Sequence, residues 1–366
     1  MKIGFLSHLD LNLYAFRLPV MLRLKELGHT PIAIAPEGAY LQKIRDAGIQ
    51  TISYEISRKS LNPFKEIVAI KNIHDAIKPL NLDILHSFTA KPNIYGTIAG
   101  KMAGVPKIYN LVEGLGSFYL EEDFKSKAIR GVIEMLYKII FAISDGVMFV
   151  NSSDPEYFVS QGIIDSAKVH KINGVGIDTN EWLPIQKEQL DDIKIMMVAR
   201  AIKHKGALEF IEAAKILTAK YPNVKFIYIG APDSGNPSSL SEEFMQNEQS
   251  IVYLGERDDV KRQLSTADIF VLPSYREGLP RTVLEAMSLG IAVVATNAPG
   301  CKDSVTDGKN GLLVPIKDSI ALANAIEKLI LDKNLRDTMG ENGRKMAVEQ
   351  FDIKPIVAKH LELYNI

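Results

Sequence analysis

Short unbroken apolar runs alternate along the chain with stretches whose apolar positions recur every three to four residues. The first half carries KIGFLS from Lys2, PIAIA from Pro31, TISY from Thr51, ILHS from Ile84, KIYNLV from Lys107 and GVMFV from Gly146. The pattern restarts with KIMMVA from Lys194, KFIYIG from Lys225, IVYLG from Ile251, IFVLP from Ile269 and AVVAT from Ala292. Continuous rather than alternating apolarity suits strands buried on both faces, so each run predicts a strand of a helix-covered parallel sheet. Right-handed crossovers then make each half a doubly wound domain.

The stretch NGVGIDTNEWLP, from Asn173 to Pro184, reads as a hinge between the two patterns. Domains are therefore expected over 1–178 and 186–352, with a last helix over 353–366 returning to the first. A length of 366 residues suits two such domains. Open α/β sheets bind ligands at the carboxyl ends of their strands, so the expected architecture is α/β with two Rossmann-like domains facing a deep cleft.

Composition narrows the function. A hydrophobic share of 46% with 24% charge is that of a globular protein. No apolar run approaches the roughly 20 residues of a membrane-spanning helix. The opening MKIGFLSH has too short an apolar run for a signal peptide, and the chain has one cysteine, Cys301, expected as a small loop residue. A cytoplasmic location without disulfides or cysteine metal sites is expected. The net charge of -1 argues against a nucleic-acid partner. Residues 1–178 carry a slight basic excess and the remainder a slight acidic one.

The most informative segment is FVLPSYREGLPRTVLEAMSLG, Phe270 to Gly290, which reads as strand, loop and helix. Glu277 lies in the loop and Glu285 eight positions on in the helix, which separates the carboxylates by about 10 Å. That spacing can bracket a nucleotide-sugar, with one carboxylate on the hexose hydroxyls and one on the ribose diol. The backbone N–H groups of Leu279, Arg281 and Thr282 open the helix where its dipole favours a diphosphate. Taken alone, the segment also fits an ordinary strand–loop–helix with two solvated glutamates.

This Glu–seven residues–Glu segment, preceded by LPSY, resembles the signature of the retaining glycosyltransferase family 4, whose fold is GT-B. VARAIKHKG, Val198 to Gly206, is similar to the family's diphosphate-binding segment, which implies that role for Arg200 and Lys205. A guanidinium and an ammonium at a strand's end can neutralise a leaving diphosphate without a metal. CKDSVTDGKNGLLVP from Cys301 and GVGID from Gly174 also resemble the family. No Asp-x-Asp metal motif occurs; Asp191–Asp192 and Asp258–Asp259 are adjacent pairs, which converge less readily on one ion. Neither a metal nor a separate cofactor is expected.

In the first domain, LVEGLGSFY places Glu113 after a strand beside two glycines, where many family members have a His. Glu113 is assigned to donor or acceptor hydroxyls, and with Arg200, Lys205 and Glu277 completes the catalytic set. His86 and Lys91 in LHSFTAKPN, and His8 and Arg17 after the first strand, are acceptor candidates, although the family's frequent Gly-Gly pair is absent from that first loop.

SHLDLNLYAFRLP, SRKSLNPF and VEGLGSFY together resemble one subgroup, the bacterial α-1,3-N-acetylgalactosaminyltransferases of protein N-glycosylation. The resemblance implies UDP-N-acetylgalactosamine as donor and a polyprenyl-diphosphate-linked sugar, undecaprenyl-diphospho-N,N'-diacetylbacillosamine, as acceptor. Other lipid-linked oligosaccharide or polysaccharide pathways remain open, as does a GT-B-fold sugar-nucleotide epimerase. A NAD-dependent dehydrogenase fits poorly, because no Gly-x-Gly-x-x-Gly follows the first strand.

A membrane-borne acceptor implies a peripheral position on the cytoplasmic face of the inner membrane. The segment Phe124 to Ile143 supplies Lys125, Lys127, Arg130 and Lys138 beside a stripe of Ile129, Ile133, Leu136, Ile140 and Phe141, expected to meet the membrane surface. The alternative is that this helix packs on the sheet. Arg58 and Lys59, in the basic run from Ser57 to Lys65, join the acceptor candidates.

Overall fold

The computed structural model describes residues 1–56, 62–185 and 192–366; Arg58, Lys59 and Asp191 lie outside them. The chain forms two compact units, Met1–Val175 with Ile353–Ile366, and Gly176–Asp352.

In the first unit, β1 (Lys2–Leu6), β2 (Thr30–Ala35), β3 (Gln50–Ser53), β4 (Ile84–Phe88), β5 (Lys107–Val112), β6 (Gly146–Phe149) and β7 (Val169–Lys171) form one parallel sheet in the order β3-β2-β1-β4-β5-β6-β7. Successive connections run outward from β1 to β3 and then back across to β7. With right-handed crossovers, this puts the helices before β2 and β3 on one face and Pro63–Ile77, Ala90–Met102 and Phe124–Ile143 on the other. β4 is buried at every position, as its continuous apolarity requires.

The second unit repeats the design. β8 (Ile193–Val198), β9 (Val224–Ile229), β10 (Val252–Tyr253), β11 (Ile269–Leu272), β12 (Ala292–Thr296) and β13 (Gly311–Val314) pair in parallel in the order β10-β9-β8-β11-β12-β13. Its core gathers Met196, Phe210, Phe226, Val271, Leu284 and Val294. In both sheets the strand order reverses beside the first strand, β1 or β8, where the chain leaves a crevice at the carboxyl edge.

Every sequence-level strand candidate corresponds to a strand, and both sheets contain one more. β7 is a three-residue edge whose sequence, Val-His-Lys, carries little apolar signal. β13 lies inside the segment read only as a family-like loop. The first helical stretch begins at Asp10 and is divided at Arg17 into Asp10–Phe16 and Leu18–Glu26. Cys301 opens a short helix and is fully buried, which pushes its thiol up to about 12.

The helix Phe124–Ile143 corrects one expectation. Ile140 and Phe141 are buried beneath it, and Ile133 and Leu136 pack on the same cluster with Phe149 and Phe158. The stripe assigned to the membrane is therefore the face that covers the sheet, because a crossover helix must bury its most continuous apolar side there. Among the described residues no helix is long and apolar enough to cross a membrane.

Candidate active site

In the second unit, the loops after β8, β11 and β12 are stitched together at the carboxyl edge of the sheet. Tyr275 N–H donates to the His204 carbonyl at 2.9 Å, and Glu277 N–H to the Pro299 carbonyl at 2.9 Å. Gly206 (φ 77°) has no room for a side chain, since a Cβ would lie 2.2 Å from the Pro273 carbonyl oxygen. Gly300 (φ 82°) likewise presses on the carbonyls of Glu277 and Gly278. These close approaches need glycine, and they hold Lys205 and Glu277 beside each other.

Lys205 Nζ donates to both carboxylate oxygens of Glu277, at 2.5 and 2.7 Å, with both side chains mostly buried. Arg200 Nη1 donates to Asp233 Oδ2 at 2.5 Å from the loop after β9. Arg281, the first residue of the helix Arg281–Ser288, donates through Nε to Glu285 Oε1 at 3.0 Å. Glu285 is buried, and desolvation pushes its carboxyl up to about 7 despite the Arg281 charge. Thr282 follows Arg281 in the first turn and Leu279 lies just ahead of it. One edge of the sheet thus gathers three cations, three carboxylates and a helix N-terminus.

In the first unit, Glu113 follows β5 and is gripped from the loop region after β1. Asn12 Nδ2 donates to its two oxygens at 3.2 and 3.0 Å, and Arg17 Nη2 donates to Oε1. Arg17 has no solvent exposure and its guanidinium lies over the Phe88 ring, 4.4 Å from the centroid. Burial pulls its pKa below the ordinary arginine value, with Glu113 opposing. Glu113 itself keeps one-fifth of its side chain exposed. His8 Nδ1 is 2.6 Å from Thr89 Oγ1, and Lys91 Nζ donates to both Glu66 oxygens at 2.9 and 3.0 Å.

Two acceptor candidates are fully buried in the first unit. His86 is fully enclosed in β4, with Nδ1 2.6 Å from the Tyr364 hydroxyl and its ring stacked on Phe88; burial holds its pKa well below the usual histidine value. The C-terminal helix Ile353–Tyr364 covers it, so it is a core residue. Arg17 is likewise fully buried, and its guanidinium meets the partly exposed Glu113. Sequence reasoning missed Asn12, Glu66 and Asp233. The signal for Asp233 was its position just after a strand, in GAPD following β9, where ligand-side residues of such sheets concentrate.

Known proteins match this chain throughout. Residues 2–151 match the family described as glycosyl transferase 4-like, and residues 178–346 the glycosyl transferases group 1. The N,N'-diacetylbacillosaminyl-diphospho-undecaprenol alpha-1,3-N-acetylgalactosaminyltransferase of Campylobacter jejuni is 39% identical over 380 aligned positions, covering 100% of this chain and 98% of that protein. The UDP-Gal:alpha-D-GlcNAc-diphosphoundecaprenol alpha-1,3-galactosyltransferase of Escherichia coli is 26% identical, covering 90% of this chain and 87% of that one. Anabaena HepE, crystallised in complex with UDP, has the same fold with a TM-score of 0.76 at 21% identity, covering 100% of each chain. A full-length relative at this level, two family models and two doubly wound sheets agree: the chain belongs to the group 1 glycosyltransferases of family 4, retaining enzymes of the GT-B fold.

Proposed function

We propose that this enzyme transfers N-acetylgalactosamine, with retention, from UDP-N-acetylgalactosamine to carbon 3 of the terminal sugar of a polyprenyl-diphosphate acceptor, undecaprenyl-diphospho-N,N'-diacetylbacillosamine. The sugar identities come from the Campylobacter relative's name. The chemistry rests on the pairing of Lys205 with Glu277 beside the helix that begins at Arg281.

The second unit takes the donor. Arg200 and Lys205 receive the diphosphate, and the N–H groups of Leu279, Arg281 and Thr282 add neutral donors aimed at it. When Lys205 turns to the diphosphate, its bond to Glu277 is released, and that carboxylate accepts hexose hydroxyls. Glu285 accepts the ribose diol. The C1–O bond to the diphosphate breaks as negative charge gathers on the leaving oxygen, which Arg200 and Lys205 stabilise without a metal. The acceptor hydroxyl attacks the face just vacated and its proton passes to the departing diphosphate oxygen, which preserves the anomeric configuration and leaves UDP.

The first unit takes the acceptor, with His8 and Lys91 at its carboxyl edge, and Arg58 and Lys59 are assigned to acceptor binding as well. Glu113, fixed by Arg17 and Asn12, contacts sugar hydroxyls. The enzyme works as a peripheral protein on the cytoplasmic face of the membrane that carries its acceptor. UDP release measured with and without lipid-diphosphate acceptor tests the reading: release that requires the acceptor supports it, whereas acceptor-free release with epimerised sugar points to the epimerase alternative.

A further inference from the structure

The helix Phe124–Ile143 is apolar on two faces. One covers the sheet; the other should be polar on a crossover helix in water. Instead Phe124, Ala128, Val132, Met135, Ile139, Ala142 and Ile143 are exposed. At about 100° per residue, these seven positions fill one arc of about 100° that contains no acidic residue. Phe124 is 87% exposed and Met135 56%. The exposed Lys127 and Lys138 border one side of the arc and Lys125 the other; Lys127 also pairs with Glu122 at 3.0 Å.

A second apolar patch lies on the same face of the sheet. Helix Ala90–Met102 packs against both Pro63–Ile77 and Phe124–Ile143, so the three form one layer. The first turns of Pro63–Ile77 expose Phe64 (80%), Ile67 (64%) and Val68 (54%), with Lys65 beside them. Both helices start at the carboxyl edge of the sheet, since each leaves a strand that ends there and runs back along it. Phe64 and Phe124 thus mark the same edge as His8, Lys91 and Glu113. Exposed apolar area of this extent, concentrated in one layer, marks an interaction surface.

We propose that this layer, through the outward arc of Phe124–Ile143 and the patch of Phe64, Ile67 and Val68, is the surface that inserts into an anionic phospholipid bilayer. The apolar arc sinks to the acyl boundary while Lys125, Lys127 and Lys138 extend along it to reach the headgroups. A protein partner would need its own complement to two separated patches; a bilayer meets both at once and accounts for lysines on both flanks of the arc. The proposal deepens the lipid-linked acceptor reading and rests on it for its biological purpose.

The test is vesicle flotation of the full chain, with neither donor nor acceptor present, on phosphatidylcholine alone and on phosphatidylcholine mixed with phosphatidylglycerol. Wild type is expected to bind the mixed vesicles more tightly. Met135→Glu with Ile139→Glu, and separately Phe64→Ser with Phe124→Ser, should each weaken that binding by about tenfold or more. Ile320→Glu with Leu331→Glu, at exposed apolar positions of the second unit, should change nothing. All variants should transfer sugar to a short-chain, water-soluble acceptor at the wild-type rate, which separates loss of docking from loss of chemistry. No vesicle binding by wild type, equal binding to both compositions, or undiminished binding by the variants would overturn the proposal. So would a wild-type dimer, seen by sedimentation, that dissociates in the Met135→Glu/Ile139→Glu variant. Absence of transfer by wild type to any lipid-diphosphate acceptor would instead refute the proposed function and leave the flotation result to decide this surface.

Discussion

Lys205 and Glu277, 72 positions apart in sequence, share a two-pronged ion pair at the carboxyl edge of the second sheet. Each partner satisfies the other. In the proposed mechanism a donor that brings its own diphosphate and hydroxyls exchanges one pair for two better-matched contacts, which would make this pair the place where donor binding and leaving-group stabilisation meet.

Lys205→Ala and Arg200→Ala should each lower kcat by roughly two to three powers of ten, as when a donor to developing negative charge is removed. The Arg200–Asp233 pair is half exposed on the Arg side, so Arg200→Ala should leave Tm nearly unchanged. Steady-state rates and thermal melts of the purified variants check both. Turnover near the wild-type rate in both would remove the leaving-group role.

Glu277→Ala should impair use of the sugar donor more than binding of UDP, whereas Glu285→Ala should mainly weaken UDP. Calorimetric titration with UDP and with the intact donor separates them. Equal losses of UDP affinity would refute the division.

The Glu285 carboxyl, lifted by burial to about 7, gives two pH effects. Its folded pKa exceeds the unfolded value, so its protonated form contributes stability that is fully present below the unfolded carboxyl range and lost as pH rises through about 7. Glu285→Gln should flatten that part of the stability-against-pH curve. A ribose diol needs the ionised carboxylate as acceptor, so wild-type affinity for UDP should fall as pH drops below about 7 while the Gln variant stays weak and flat. Calorimetry in buffers of different ionisation heat should register proton release on binding near neutrality.

Arg17 and Glu113 should each be sensitive to loss of the other's charge. Arg17→Met leaves the Glu113 carboxylate without its main counter-charge and should cost up to about 3 kcal/mol, below the full value for a buried pair because Glu113 is partly exposed. Glu113→Gln retains an oxygen for Arg17 but leaves that fully buried cation without its counter-charge, so it should lower stability at least as much and lower kcat as well. Denaturant melts beside kinetics check both effects; a Glu113→Gln enzyme with full activity would reduce Glu113 to a structural role.

Some of this was legible in the sequence and some was not, for physical reasons. The strands announced themselves because a sheet covered on both faces demands unbroken apolar runs. Arg200, Lys205, Glu277 and Glu285 sit in two short segments that each follow a strand, so their shared edge follows from topology. The Arg17–Glu113 pair spans 96 positions and no local pattern encodes it. His86 looked accessible because it sits near the carboxyl end of a strand of the first sheet, but Tyr364, 278 positions on, closes over it. In Phe124–Ile143 the sequence holds two apolar arcs, and only the position of the sheet tells which faces outward.

EDTA should leave the rate unchanged, and the product should carry an α linkage by NMR. Activity abolished by EDTA and restored by Mg²⁺ or Mn²⁺, or a β-linked product, would contradict metal-free transfer with retention.

The most direct measurement offers the purified enzyme a panel of UDP-sugars with undecaprenyl-diphospho-N,N'-diacetylbacillosamine and identifies the lipid product by mass and linkage. One N-acetylhexosamine should be added, from UDP-N-acetylgalactosamine in preference to UDP-N-acetylglucosamine, in an α-1,3 linkage. An unchanged lipid with every donor, or equally rapid transfer from an unrelated UDP-sugar, would contradict the proposed function.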